Sequence, residues 1–114
     1  MFGFLTDFCA ANQFKIMLSH RPEGFCFGEA CAVWNIDLIL SGHTHGGLIR
    51  LPFVGGLYAP IQGFFPKVCY GEYKFNNNRM LITSGLAGYG IIPRINNPPE
   101  IAVIDLVPEN SPER

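Results

Sequence analysis

His20, His43 and His45 are the only histidines in this 114-residue chain. They are also its best equipped residues for chemistry. His43 and His45 stand one residue apart in "LILSGHTHGG", residues 38–47, and His20 closes "IMLSH", residues 16–20. Both stretches are apolar runs that end at a histidine. Imidazole changes charge near neutral pH and binds Zn, Fe, Ni, Cu and Mn to differing degrees. In an extended segment, side chains two apart point the same way. An H-x-H pair could then serve one ion or two neighbouring ions. Gly42, Gly46 and Gly47 flank the pair, where glycine lets the backbone turn without a Cβ clash. A lone loop histidine is most often simply hydrogen-bonded. Three that converge from two distant segments point to a metal site.

For that convergence the two runs must lie side by side. Residues 14–18 ("FKIML") and 36–40 ("IDLIL") read as buried strands. Fifteen residues, 21–35, lie between them. Pro22 and Gly24 predict a turn after His20, and residues 29–34 ("EACAVW") suit a short helix. A connection of this length fits a parallel crossover, not a hairpin. Both histidine-bearing ends then fall at the carboxyl edge of the sheet, where open α/β sheets place ligand sites.

Residues 46–66 are rich in Gly, Pro and aromatics. They read as a long, packed surface loop with one short strand at 48–51. Residues 70–75 and 79–83 predict a β-hairpin around "NNN". Residues 85–99 form another loop, 100–107 ("EIAVIDLV") a last strand, and the polar tail after them frays. With 48% hydrophobic residues, the chain can fill the core of one small domain. Its net charge of −1 gives no footprint for nucleic acid or an anionic membrane. No apolar run reaches the ~18 residues of a membrane span. The apolar N-terminus is interrupted by Asp7, Asn12 and Lys15 and lacks a basic start, so it does not read as a signal peptide. The four cysteines form no C-x-x-C pair and read as buried or half-buried thiols of a reducing cytosol. A zinc site on Cys26 and Cys31 is a weaker alternative, because that spacing fits no common zinc pattern.

The stretches "IMLSHRPEG", "DLILSGHTHGGLIRLP" and "YGEYKF", and the later "LITSGLAGYGIIPRINNPPEIAVIDL", resemble the calcineurin-like metallophosphoesterases. The likeness is to the C-terminal half of a bacterial phosphohydrolase branch that carries GHTH, and it runs over residues 14–106. It implies an α/β fold, the C-terminal half of an α/β/β/α sandwich, with mainly strands and one or two short helices. Residues 1–114 would be the C-terminal part of a metallophosphoesterase domain. The implied activity is hydrolysis of phosphoester or pyrophosphate bonds at two divalent ions (Mn, Fe or Zn). His20 and His43 would ligate one ion and His45 the other.

The family's D-x-H, G-D-x-x-D and G-N-H motifs, which bring the carboxylates, do not occur in this sequence. Two cations within ~4 Å repel strongly and need anionic ligands. Three neutral imidazoles therefore predict at most one ion, as a three-histidine site with water. The chain then reads as a truncated or split piece, inactive alone. It would depend on a chain carrying the N-terminal half, or self-associate through uncovered sheet faces and edges. Arg50 is a candidate phosphate contact, as a guanidinium binds phosphate in bidentate fashion. Arg94 is either a similar contact or a solvated loop residue. Glu23 and Asp37 read as a loop carboxylate and a strand-end residue, Asn96 and Asn97 as turn residues. Leu48 stands where the branch usually has glutamine. The expected substrate is a phosphorylated small molecule or lipid. The expected location is cytoplasmic, with membrane association open for a longer form. The competing readings are a non-catalytic metal-binding or interaction module and an inactive remnant.

Overall fold

The computed structural model describes residues 2–26, 35–75 and 78–108. Its centre is a four-stranded sheet in the order β1-β2-β8-β7, with β1 Ile16–Ser19, β2 Leu38–Ser41, β7 Gly71–Phe75 and β8 Asn78–Ile82. β1 pairs with β2 in parallel, as the crossover length predicts, and β2 pairs in parallel with β8. β7 and β8 form the expected antiparallel hairpin. Asn76 and Asn77 of the "NNN" turn lie outside the described residues, as do residues 29–34 and 109–114. Asn78 is no turn residue. It is buried in β8, and its Oδ1 accepts a hydrogen bond from Ile36 N at 2.8 Å.

The register sorts the sheet's two faces, since side chains opposite each other share a face. Met17, Ile39, Met80 and Tyr73 are aligned, and their face joins Ile36, Val68 and Ile82 in the core. The other face aligns Leu18, Leu40, Leu81 and Glu72. Helix α1, Phe2–Ala10, packs Phe8 and Cys9 against the core. This helix is not apparent in the sequence, because Asp7 interrupts its apolar run. Asp7 is exposed, and Phe4 and Phe8, one helical turn apart, stack at 6.1 Å.

Three other expectations change. The stretch after His20 holds a single helical turn, α2, Glu23–Cys26, with Gly24 inside it. The 46–66 segment carries four short strands rather than one: β3 Arg50–Leu51 with β4 Gly55–Gly56, and β5 Tyr58–Ala59 with β6 Gly63–Phe64. Residues 100–107 are not a strand. Alternation describes a side-chain pattern and does not by itself pair a segment with a sheet edge. The segment instead crosses the second face, where Ile104 to Leu106 help line a cleft of about 530 Å³ with Phe14, Leu38 and Leu81. Among the described residues, no helix is long and apolar enough to cross a membrane. The molecule is a small mixed α/β unit, mainly strands with short helices, consistent with half of a calcineurin-like sandwich.

Candidate metal centre

The three parallel strands end together. Gly42 N donates to His20 O at 3.4 Å and Thr83 N donates to Ser41 O at 3.1 Å, so the chain leaves β1, β2 and β8 at one level. An open cleft of about 540 Å³ lies there, lined by Leu18, Ser19, His20, Leu40, Ser41, Gly42 and Thr83. Ser41 Oγ is buried beside it with no hydrogen-bond partner among the described residues.

The imidazoles of His20 and His43 meet with ring centroids 4.6 Å apart, and that of His45 lies 6.4 Å from His43. The pleat does not arrange them. His43 and His45 have φ of 70° and 50°, in the left-handed region, and His45 opens a 3-10 turn, His45–Gly47. Such conformations cost about 1–3 kcal/mol each outside glycine and persist where the surroundings enforce them. The enforcing contacts are visible. Thr44 is fully buried and its Oγ1 donates to Cys69 O at 2.7 Å. Asn97 Nδ2 donates to His45 O at 2.6 Å and to Leu48 O at 3.2 Å. A Cβ on Gly56 would stand 2.7 Å from Gly47 Cα and 2.9 Å from Cys69 Sγ, so both glycines are required by a close backbone crossing. Leu48 is fully buried at φ 59°, so its side chain serves packing.

His45 Nδ1 lies 3.1 Å from Ala87 O. A carbonyl only accepts, so this bond places the proton on Nδ1 and leaves the Nε2 lone pair free. Metal-ligating histidines are commonly oriented in this way. Arg94 holds the same loop. Its Nη1 donates to Ala87 O and to Ser84 O, both at 2.8 Å, its Nη2 to Pro98 O at 3.0 Å, and its Nε to Asn97 O at 2.9 Å. Arg94 is thus neither a free phosphate contact nor a solvated loop residue. Arg94 and Asn97 are positioning residues that sequence reasoning misses. The one available signal is a guanidinium and an amide inside a Gly/Pro loop, which must satisfy its own carbonyls.

His43 titrates below its ordinary value of 6.5, first because partial burial disfavours the charged form and next because His20 repels it. Glu23 opposes the shift, while His45 and Arg21 add to it. A neutral imidazole is the ligating form. Glu23 Oε1 accepts from Gln62 Nε2 at 2.7 Å, and its Oε2 is buried without a hydrogen-bond partner among the described residues. Asp37 lies at the opposite end of the strands, where its Oδ2 accepts from Lys15 N at 2.7 Å. Arg50 meets the turn and an aromatic ring rather than an imidazole. Its Nε donates to Gly46 O at 3.0 Å, its Cζ stands 3.6 Å over the Tyr70 ring, and its Nη2 is buried without a hydrogen-bond partner among the described residues. The Tyr70 phenol is held above its ordinary value, chiefly by its hydrogen bond to Glu100.

Among the described residues, no three His, Cys, Asp or Glu side chains stand close enough to enclose one ion. The His20–His43 pair fits two ligands of a single ion, with His45 held to one side. The three imidazoles bring no negative charge of their own, so they do not by themselves fit a two-ion centre. Cys9 and Cys69 are free thiols, and Cys31 lies outside the described residues.

No family model matches the chain, and no solved structure matches it. Curated relatives do. The chain is 34% identical over 98 residues to phosphodiesterase YaeI of Escherichia coli, covering 85% of this chain and 34% of that protein. It is 35% identical over 98 residues to the uncharacterized metallophosphoesterase YkuE of Bacillus subtilis, covering 85% and 32%. It is 36% identical over 96 residues to an uncharacterized metallophosphoesterase of Helicobacter pylori, covering 83% and 24%. The chain thus spans about a third or less of the length of these relatives. Similarity that runs through more than four-fifths of the chain, on a sheet whose carboxyl edge gathers its three histidines, shows that this sequence belongs to the metallophosphoesterase family.

Proposed function

We propose that the chain supplies the histidine side of a divalent-metal centre for phosphoester hydrolysis. The observation that carries this reading is the meeting of His20, His43 and His45 at the carboxyl edge of a parallel sheet. The relatives named phosphodiesterase and metallophosphoesterase support it. His20 and His43 would hold one ion. His45, with its Nε2 freed by the Ala87 bond, would face a second position. A divalent ion (Mn, Fe or Zn) supplies Lewis acidity toward a phosphoryl oxygen and acidifies water. Arg50 would contact phosphate through its guanidinium, which matches phosphate in bidentate fashion.

The carboxylates that offset the charge of two ions would come from polypeptide outside these 114 residues, either a longer form of the chain or a partner bearing D-x-H, G-D-x-x-D and G-N-H. The substrate would be a phosphorylated small molecule or lipid. Metal content of the purified chain, beside a His43→Ala/His45→Ala variant, tests the centre. About one ion per chain, lost in the variant, supports it. Hydrolysis of an aryl phosphate with Mn or Zn, with and without a segment supplying the absent motifs, tests the activity. Ion binding without hydrolysis in the complemented sample would leave a metal-binding module instead.

A further inference from the structure

A row of aromatic rings leads away from the histidines. The Tyr89 ring lies 5.7 Å from that of His45, Tyr58 lies 6.4 Å from Tyr89, and Phe64 lies 5.4 Å from Tyr58. The Tyr58–Phe64 contact is edge-on and is fixed by their pairing across β5 and β6. The two steps nearer the histidines are tilted at 41° and 31°, so they are not sealed against each other edge to face. Tyr89 is 43% exposed and Phe64 70% exposed. No hydrogen bond among the described residues uses the Tyr58 or Tyr89 hydroxyl, so their rings are placed without a polar anchor. Beyond them is a cleft of about 330 Å³ whose wall includes Phe64, Phe65 and Lys67. That volume suits a small organic group.

Core packing does not account for Tyr89, because its loop residues Gly88 to Ile91 are exposed. Part-exposed aromatic rings beside a site for phosphate favour a planar partner, since offset stacking adds to plain area burial. An acyl chain gains instead from an enclosed apolar groove. Resting on the phosphoester reading above, we infer that Tyr89 and Tyr58 form a shelf for a planar aromatic group esterified to the phosphate. The phosphate lies at the histidines, and the aromatic group extends toward Phe64. Tyr89 and Tyr58 then set substrate class and take no part in bond breaking.

The test is nuclear magnetic resonance of the zinc-loaded chain titrated with phenyl phosphate, methyl phosphate and octyl phosphate, with zinc affinity measured separately by chelator competition. Phenyl phosphate is expected to bind about fivefold tighter than methyl phosphate and to shift the Tyr58 and Tyr89 ring signals. Tyr89→Ala should erase that preference, while Tyr89→Phe, which keeps the ring, should retain it. Equal binding of phenyl and methyl phosphate overturns the shelf. Tighter binding of octyl phosphate overturns its planar assignment. If zinc does not bind, the metal reading fails on its own, and phenol alone probes the shelf. Saturable shifts at both tyrosines then support it, and their absence overturns it.

Discussion

His45 keeps its proton on Nδ1 only while Ala87 O is there to accept it, and Arg94 fixes that carbonyl. Asn97, 3% exposed, fixes the His45 carbonyl from the other side. Asn97→Ala removes one of two hydrogen bonds at each of His45 O and Leu48 O, which keep Leu48 N and Ile95 N as donors, and should lower stability by roughly 1–2 kcal/mol, read by urea unfolding. The same variant should move the His45 ring signals, which a purely distant packing defect would leave in place. Arg94→Lys offers one point charge for a planar fork and should have a similar effect on His45. His43 gives a dependence on pH. Its folded value is lowered, by burial first and by His20 next, with Glu23 opposing and His45 and Arg21 adding. The unfolded chain therefore takes up a proton as pH falls through 6.5, while the folded chain resists. This contribution to stability is complete above 6.5 and declines with acidification below it. Urea midpoints at about pH 7.5 and 5.5 should differ less in His43→Gln than in the parent.

The turn that presents His43 and His45 depends on the β3–β4 ribbon beneath it. Gly47 (φ 82°) and Gly56 meet backbone to backbone, with Cys69 Sγ closing the gap. Gly47→Ala should cost more than about 2 kcal/mol, from strain and clash together. Gly24→Ala meets nothing within 4 Å and should change stability by less than about 0.5 kcal/mol. Cys69 is buried, and that burial raises its thiol above the ordinary value. Iodoacetamide labelling followed by peptide mass spectrometry should show Cys69 reacting far more slowly than half-buried Cys9. Rapid Cys69 labelling would mean that the ribbon opens readily.

At the scale of the molecule, one sheet face has its core and the other has little. Leu18 is 80% exposed, and Ile16 beside it on edge strand β1 is also exposed. Exposed apolar surface on an unpaired edge invites another chain. The isolated chain should therefore self-associate at tens of micromolar in sedimentation velocity. Leu18→Lys should return it toward the monomer without lowering its thermal midpoint, because an exposed side chain has little packing to lose. A monomeric parent would count against this reading.

Much of the sheet is legible in the chain's own pattern. Apolar runs of strand length, separated by a crossover-length connection, dictate parallel pairing of β1 and β2, and pairing brings their histidine-bearing ends together. The β7–β8 hairpin follows from alternation around "NNN". Those signals are local, and the physics they report is local. The segment 100–107 misleads because alternation describes a side-chain pattern and not the presence of a partner edge. Asn97 and Arg94 are opaque for a similar reason. Their work is done across 52 and 7 residues of chain, on His45 O and Ala87 O, and nothing near them in sequence names those acceptors. The apolar runs and the length of the connection between them already dictate that two strands carry the three histidines to one edge. Only the tertiary structure decided how the imidazoles are aimed, because left-handed φ values at His43 and His45 exist where a buried threonine, a buried asparagine and a glycine crossing hold them.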